Sequence, residues 1–294
     1  RYVREWLGGM VVSHIIDYDP GGRTYSLPPE HAAVLTGAVG PDVISAHTQY
    51  VPMLLSVESD IIGCFQHGGG LPYSSYGGSK TCVPVGGAIE DERLLETTLP
   101  LVQGLVERLL TGIDVADMGC GSGHVLNVMA KAFPRSRFTG YDFSAERIAA
   151  GQAEADQLGL GNARFELLDL ATLDARDCFD FITGFDAIHD QAKPRTVLRN
   201  IASALRPGGA FLMVDIRASS NLEENIDHPL GPYLFLWSVT HCMTVSLAQG
   251  GEGLGTMWGE QKITEYLAEA GFSDIVVKNV EGDTINSYYV CTKR

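Results

Sequence analysis

The feature of the chain with the clearest chemistry is the run Asp117-Met118-Gly119-Cys120-Gly121-Ser122-Gly123. It follows an apolar stretch typical of a strand and precedes a periodic apolar stretch typical of a helix. The three glycines therefore lie in a strand-to-helix turn, where their lack of a side chain lets a ligand approach the backbone. The glycines alone do not tell a dinucleotide from other nucleotide-like ligands.

Further polar residues follow the next predicted strands. Asp142 comes about 20 residues after the glycine run, where an acid accepts hydrogen bonds from ribose hydroxyls. Asp169 and Leu170 follow the third strand, where a carboxylate beside an apolar side chain suits an adenine ring. After the fourth strand the chain reads Phe185-Asp186, and the next helix leads into LRPGGAF.

The elements that position these residues alternate between strand and helix from Ile113 onward. This alternation predicts an α/β fold with a doubly wound, seven-stranded, mostly parallel sheet. An insertion at 217–259 interrupts the alternation, and insertions of this length usually form lids or pocket walls. The predicted strands are 113–118, 137–141, 163–168, 179–185, 209–216, 275–280 and 287–292, and the predicted helices are 123–133, 145–158, 194–205 and 260–270.

The first residues have a different pattern. A helix over 1–10 is followed by strand-like runs at 11–18 and 23–27, with Asp19-Pro20-Gly21-Gly22 between them. Helix, strand, turn and strand are typical of a winged helix. We expect a winged-helix and helical N-terminal domain over 1–80 and a catalytic domain over 81–294. Because Arg1 lies within a helical pattern and is not Met, we expect residues to precede it.

Composition narrows the class of protein. The chain has 36 acidic against 21 basic residues, a net charge of -15, which disfavours binding to nucleic acid. Its 6 cysteines show neither C-x-x-C pairs nor zinc-site spacing, so we expect reduced thiols, no metal site and a cytoplasmic location. No apolar run approaches the roughly 20 residues that span a bilayer, so we expect no membrane partner.

Four stretches of the chain resemble, in the same order, the motifs of class I S-adenosylmethionine-dependent methyltransferases. They are DMGCGSG, YDFS, LLDL and LRPGGAFLMVD. The resemblance covers Ile113 to Arg294. A plain Rossmann dehydrogenase, the alternative for the glycine run, does not predict the LRPGG turn. Three further stretches resemble, more loosely, a subgroup of these enzymes with a truncated winged helix. They are YSLPPEH, FDAIHDQAKP and HCMTVSLAQGGEGLGTMWGE. That resemblance implies a homodimer in which the extra domain closes the pocket.

The resemblance also implies how the cofactor S-adenosylmethionine, which leaves as S-adenosylhomocysteine, is held. The glycine run would flank its methionine part, Asp142 its ribose, and the residues after the second and third strands its adenine. The end of the fourth strand would face the sulfonium, and Tyr76 could donate to the cofactor carboxylate. The implied set is Asp117, Gly119, Gly121, Gly123, Asp142, Phe143, Asp169, Leu170, Phe185, Asp186 and Tyr76.

Methyl transfer needs a base only when the acceptor starts protonated, and a neutral histidine then suits a hydroxyl. His189, with Asp190 beside it, and His241 in the insertion are the candidates. Two structural interpretations stay open. His189 could cap a strand end with Asp190 capping the next helix, and His241 could be a core histidine beside Trp237.

The expected walls of the acceptor pocket come from three regions. Tyr73 belongs to a glycine-rich loop at 68–78, Trp237 and His241 to the insertion, and Trp258 and Glu260 to its end. Trp258 could equally be buried packing, and Glu260 could simply begin a helix, where an acid favours the dipole. Cys242 suggests thiol or metalloid chemistry, but the spacing of the cysteines gathers no such cluster.

The sequence thus predicts methyl transfer to a small molecule, with O-, N- and S-acceptors all open. The alternative is a DNA-binding or scaffolding protein whose methyltransferase-like domain senses the cofactor. A DNA-reading helix needs clustered basic residues, whereas the first helix offers only Arg1 and Arg4 against Glu5.

Overall fold

The computed structural model describes residues 1–36, 50–76 and 91–293. Contacts divide the chain into two compact units, Arg1–Val51 and Pro52–Arg294. The domain boundary expected between 80 and 81 lies outside the described residues, as do Cys82 and the end of the glycine-rich loop at 77–78.

The first unit contains helix α1 (Tyr2–Val12), a hairpin of β1 (Asp17–Asp19) and β2 (Thr24–Ser26), and helix α2 (Pro29–Leu35). The carboxylate of Asp19 accepts hydrogen bonds from the backbone N–H groups of Gly21 and Gly22, which fixes the predicted turn. The first strand is shorter than predicted because Val11 and Val12 continue α1.

The second unit opens with helices α3 (Val51–Leu55) and α4 (Glu58–His67) and a helical turn at Tyr73–Tyr76. Helix α5 (Leu105–Thr111) follows three short helical segments, Asp91–Arg93, Leu94–Thr98 and Leu99–Leu101. The alternating part then follows as β3 (Asp114–Met118), α6 (His124–Ala132), β4 (Arg137–Asp142), α7 (Ala145–Leu158), β5 (Ala163–Leu167), β6 (Phe179–Phe185), α8 (Pro194–Ala204), β7 (Leu205–Ile216), α9 (Gly231–Trp237), α10 (Met243–Ala248), α11 (Glu260–Glu269), β8 (Ser273–Lys278) and β9 (Asn286–Thr292).

These strands form one seven-stranded sheet in the order β5-β4-β3-β6-β7-β9-β8. Neighbouring strands are parallel except that β9 runs antiparallel to both β7 and β8. The predicted doubly wound, mostly parallel sheet is confirmed, with strand ends shifted by a few residues. The largest shift is at β7, which begins at Leu205 because that residue pairs with Phe179 across an irregularity in the ladder.

Apolar layers cover both faces of the sheet, as a parallel sheet requires. Along β3, Val115 packs into one layer with α5 and α6, while Ala116 and Met118 pack into the other. This alternation is the two-residue period of a strand. The side chains of β3 are therefore committed to the core, and only its carboxyl end is left to contact a ligand.

The insertion at 217–259 folds into α9, a helical segment at Ser238–Cys242, and α10. It packs against the glycine-rich loop and against the segment that follows β6. Leu71 N donates to the Thr244 hydroxyl at 2.8 Å, and the Ser246 hydroxyl donates to the Gln191 carbonyl at 3.0 Å. The insertion is therefore a wall beside the end of β6. Across the described residues, no helix combines the length and apolar character needed to cross a membrane.

Candidate functional site

The glycine turn follows β3 directly and is held against the end of β4. The N–H groups of Gly119 and Cys120 both donate to the carbonyl of Tyr141, at 2.8 and 3.0 Å. Gly119, Gly121 and Gly123 have φ angles of +79°, +55° and +75°. Side chains with a Cβ rarely adopt this left-handed region, so the backbone path itself calls for glycine.

The three glycines differ in how much space surrounds them. A Cβ on Gly119 would lie 2.6 Å from the Cβ of Ala187, and one on Gly123 would lie 2.2 Å from Cε1 of Phe165. A Cβ on Gly121 would meet only Nη1 of Arg147, at 3.8 Å. Gly119 and Gly123 therefore allow close packing, while Gly121 leaves an open surface that a ligand can approach.

Two acids flank this surface. Asp117 is buried and accepts a hydrogen bond from the Thr183 hydroxyl at 2.8 Å. Asp142 accepts from the N–H groups of Gly121 at 3.0 Å and Ser144 at 2.8 Å. Burial, with a smaller effect of the Asp142 charge, raises the pKa of Asp117 to about 7. Burial also raises the pKa of Asp142, against the lowering effect of its backbone donors. The site thus favours a ligand that brings positive charge and hydroxyl groups.

The expected adenine-binding residues lie at the carboxyl ends of β4 and β5, the strands next to β3 on that side of the sheet. Phe143 is 46% exposed, and its ring centroid lies 5.5 Å from that of Tyr73. Leu170 is buried, and Asp169 is exposed and accepts from the N–H of Ala171 through Oδ1 at 2.9 Å. Phe143, Asp169 and Leu170 are thus brought to one edge of the sheet.

The end of β6 has an unusual backbone. Asp186 adopts a φ of +46°, and its N–H donates to the Val214 carbonyl at 2.9 Å. Within the described residues, no hydrogen bond reaches its buried Oδ1. Burial, together with the charge of Asp215, raises its pKa. Phe185 packs against the apolar layer that includes α5 and α6. An orphaned polar atom beside the open turn is one that a ligand can satisfy.

His189 lies between two carboxylates. Its Nδ1 is 2.9 Å from Oδ1 of Asp215, and its Nε2 is 3.4 Å from Oδ1 of Asp190. Trp258 donates its indole N–H to the same Asp215 oxygen at 3.1 Å. Burial lowers the pKa of His189, but the charges of Asp215 and Asp190 raise it more, so it lies well above its ordinary value. The two carboxylates thus favour the protonated form of His189, and its predicted role as a base stays a prediction.

Asp190 is also held by Tyr73, whose hydroxyl donates to Oδ2 at 2.5 Å. The helix that follows, α8, begins at Pro194 with Lys193 in the capping position. The structural interpretation in which Asp190 caps that helix is therefore wrong. Asp190 instead belongs to the same buried polar group as His189.

His241 is buried, and its ring lies among aromatic side chains. The ring centroids of Tyr76, Tyr73 and Trp237 are 4.8, 5.3 and 6.2 Å from its own. Burial lowers the pKa of His241, so its imidazole is neutral at neutral pH. Tyr76 is buried and donates its hydroxyl to the carbonyl of Thr240 at 2.5 Å. That hydroxyl therefore anchors the loop in this structure, and its predicted contact with a cofactor stays a prediction.

Trp258 and Glu260, the two pocket residues expected at the end of the insertion, lie in different surroundings. Trp258 is buried, with its ring 5.8 Å from that of Tyr266, and it reaches the site through Asp215. Glu260 is exposed at the first position of α11, and its N–H donates to the Ala218 carbonyl. The structure thus gives Glu260 the role of an acid at a helix start and does not join it to His241 and Tyr73.

Sequence reasoning missed one residue of this site, Asp215, and set another aside, Cys242. Asp215 lies at the end of β7 and is fully buried, and Cys242 lies in the insertion with its Sγ 3.7 Å from Nδ1 of His241. A donor atom from each of His189, Asp190 and Cys242 lies within 4.8 Å of the others. Asp215 could have been predicted from the sequence, because an acid at the end of an apolar strand of a parallel sheet lies on the ligand-binding edge. The sequence analysis considered Cys242 for thiol or metalloid chemistry, but no spacing rule joins it to His189 and Asp190.

A glycine turn at the end of the central strand, acids on the two neighbouring strands and this strand order define an α/β protein that binds a nucleotide-like ligand. The chain belongs to the methyltransferase domain family, whose model matches residues 110–271. The model of an Rv2258c-like winged HTH domain matches residues 1–37. Both matches confirm the family resemblance predicted from the motifs.

Curated relatives match over part of their length. An arsenite methyltransferase of Aquipseudomonas alcaligenes is 32% identical over 127 residues, which are 40% of this chain and 37% of that protein. A ubiquinone biosynthesis O-methyltransferase of Coxiella burnetii is 33% identical over 109 residues, 36% of this chain and 45% of that protein. The matched part thus spans less than half the length of these relatives.

Solved structures are similar over nearly the whole chain. Human N-acetylserotonin methyltransferase in complex with S-adenosylmethionine gives a TM-score of 0.62 at 17% identity, over 98% of this chain and 81% of that chain. The S-adenosylmethionine-dependent methyltransferase SibL in its apo form gives 0.63 at 17% identity, over 98% and 83%. At such identities these likenesses establish the fold.

Proposed function

We propose that this chain transfers a methyl group from S-adenosylmethionine to a small-molecule acceptor. The observation that carries the proposal is the open backbone surface at Gly121, flanked by Asp117 and Asp142. Family membership and the names of the relatives, which include arsenite, ubiquinone-pathway and coclaurine methyltransferases, support the reaction class.

The residues at the turn fit this cofactor. Asp142 would accept from the ribose hydroxyls, and Asp117 would accept from the ammonium group of the methionine part. Phe143, Asp169 and Leu170 would hold the adenine, and the orphaned carboxyl oxygen of Asp186 would face the methionine part. When bound, S-adenosylmethionine supplies a methyl carbon on a positively charged sulfur, which is open to in-line attack. The main contribution of the chain is then to hold the acceptor in line.

The acceptor would lie against Tyr73, Trp237 and His241. His241 is the better base of the two histidines, because it is neutral and lies beside the aromatic rings that would hold an acceptor. It would take the proton of an acceptor hydroxyl. His189, whose pKa is raised by the two carboxylates, would instead hold Asp190 and Asp215 in place.

Calorimetry with S-adenosylmethionine and S-adenosylhomocysteine tests the cofactor site. We expect binding by the natural chain, with a loss of at least about tenfold in Asp142→Ala, since the hydrogen bonds of a charged carboxylate are worth about 1.5–3 kcal/mol each. The matched control is Asp156→Ala, which removes an exposed carboxylate from α7. Undiminished affinity in Asp142→Ala, or no binding by the natural chain, would overturn the proposal. Transfer of a labelled methyl group to metabolite extracts then identifies the acceptor.

Two finer points belong to the same proposal. A homodimer is supported by the exposed apolar side chains of α1, where Tyr2 is 92% and Trp6 is 61% exposed, and light scattering of the purified chain tests it. A reducing, cytoplasmic setting is supported by the free thiols of Cys64, Cys120, Cys178, Cys242 and Cys291.

DNA binding is the alternative function, and the charges of α1 argue against it. Arg1 and Arg4 each lie 3.4 Å from the carboxylate of Glu5, which offsets their charge. A clear mobility shift of labelled duplex DNA at physiological salt would favour DNA binding instead.

A further inference from the structure

Three donor side chains meet in the wall of the proposed acceptor pocket. His189 and Asp190 follow β6, and Cys242 comes from the insertion far along the chain. The three are 1%, 8% and 1% exposed, and their donor atoms lie within 4.8 Å of one another. Buried groups of this kind need partners, and Oδ1 of Asp190 has only the ion-pair contact with Nε2 of His189 at 3.4 Å. Within the described residues, no hydrogen bond reaches the buried Oδ1 of Asp190.

The donor set is that of zinc. Zn²⁺ prefers imidazole nitrogen, thiolate sulfur and carboxylate oxygen, at about 2.0–2.3 Å, and sites with three protein ligands keep a fourth position for water or substrate. Tetrahedral bonds of these lengths hold ligand atoms about 3.5 Å apart. Nε2 of His189 and Oδ1 of Asp190 are already 3.4 Å apart. Sγ of Cys242 lies within 4.8 Å of both atoms, and binding an ion would require it to move closer.

The surroundings orient these ligands as the outer contacts of a metal site do. Ligating histidines generally donate their other ring N–H to a carboxylate, which fixes the ring and its tautomer. Nδ1 of His189 makes this contact with Asp215, which leaves Nε2 beside Oδ1 of Asp190 and available to an ion. Tyr73 likewise binds Oδ2 of Asp190 and leaves Oδ1 to the cluster.

We propose that Nε2 of His189, Oδ1 of Asp190 and Sγ of Cys242 bind a Zn²⁺ ion with one coordination position open. On binding, the Cys242 thiol gives up its proton to solvent, and His189 binds the ion through a ring nitrogen that carries no proton. The spacing of the cysteines predicted no metal site, because the ligands come from two segments that only the fold brings together.

The open position suits an acceptor hydroxyl or thiol. This role in acceptor binding rests on the proposed methyl transfer, whereas the ion site does not. A zinc-bound hydroxyl or thiol is more acidic than a free one. The site therefore favours a small-molecule substrate with a hydroxyl or thiol at the methylated position.

The test uses the full chain, stripped of metal by chelation and dialysis and then titrated with Co²⁺. We expect a saturable near-ultraviolet absorption from charge transfer between thiolate and cobalt, one ion per chain, which Zn²⁺ displaces. Cys242→Ser should abolish the absorption, and His189→Gln should weaken binding at least about tenfold. The matched control is Cys291→Ser, which alters a buried thiol in β9.

A further variant separates a loss of the site from a loss of the fold. Asp215→Asn keeps all three ligands and should weaken cobalt binding by about 10–100-fold, while circular dichroism confirms that the variants are folded. A natural chain without saturable absorption, or absorption that persists in Cys242→Ser, would overturn the zinc site. Cofactor calorimetry on the metal-free chain keeps the two proposals apart. Cofactor binding without cobalt binding overturns only the zinc site, and cobalt binding without cofactor binding overturns only the methyl transfer.

Discussion

The hydroxyl of Tyr73 donates to Oδ2 of Asp190 at 2.5 Å and thereby joins two segments 117 positions apart. Burial raises the pKa of Tyr73 well above its ordinary value, and the charge of Asp190 adds to this effect, so the tyrosine remains a donor. The same loop is tied to the insertion, since Tyr76 donates to the carbonyl of Thr240. Three segments distant in sequence thus meet beside the glycine turn.

Replacing Tyr73 by Phe should destabilise the chain. The change leaves the buried Asp190 without its hydroxyl donor, which costs about 1–3 kcal/mol. Urea unfolding of both chains measures the difference. Tyr18→Phe is the control, because Tyr18 lies 41% exposed in the first unit. Equal stabilities of Tyr73→Phe and the natural chain would show that the contact contributes nothing.

The glycine turn predicts opposite outcomes for two similar substitutions. Gly123→Ala should lower the unfolding temperature strongly, because its Cβ would lie 2.2 Å from Cε1 of Phe165. Gly121→Ala has room for its Cβ and should cost only the strain of a left-handed backbone, about 1–2 kcal/mol. It should nevertheless weaken S-adenosylmethionine binding, because the added methyl group covers the open surface. Thermal unfolding and calorimetry on both variants decide this, and the idea fails if Gly121→Ala binds the cofactor normally.

Asp117 predicts a pH dependence of stability. Its folded pKa of about 7 lies above its ordinary value of 3.8. As the pH falls through 7, the folded chain takes up a proton that the unfolded chain does not bind until near 3.8, so this group disfavours folding most above pH 7. Asp117→Asn should therefore gain free energy of unfolding relative to the natural chain at pH 8, and less at pH 5. Denaturant unfolding at both pH values measures this, with Asp156→Asn as control, and a difference independent of pH would contradict it.

The two histidines should differ in their effect on turnover. With a hydroxyl acceptor, His241→Ala should lower kcat by about 10²–10⁴-fold, the usual contribution of a general base, without changing cofactor affinity. His228→Ala is the control, since His228 lies in the same insertion and contacts the carbonyl of Arg217 through Nε2. If His189→Ala and His241→Ala both retain the full rate, the acceptor loses its proton unaided.

Local pattern was enough to predict the sheet. Strands buried on both faces need nearly continuous apolar runs, and the helices between them have an apolar stripe, so 179–185 and 145–158 match their observed bounds. The shorter β1 and the longer β7 were not predictable in this way. Those ends depend on pairing with another segment, as Leu205 does with Phe179.

The sequence by itself determined the turn of Gly119, Gly121 and Gly123 and the positions of Asp117 and Asp142, because these residues act within one strand-to-helix unit whose geometry is local. Only the tertiary structure decided the partners of His189. Strand order places β7 beside β6 and so brings Asp215 to His189, and the folded insertion brings Cys242 to the same place. Such contacts depend on how distant segments pack together, and that packing also shifts the pKa values of His189 and His241 in opposite directions.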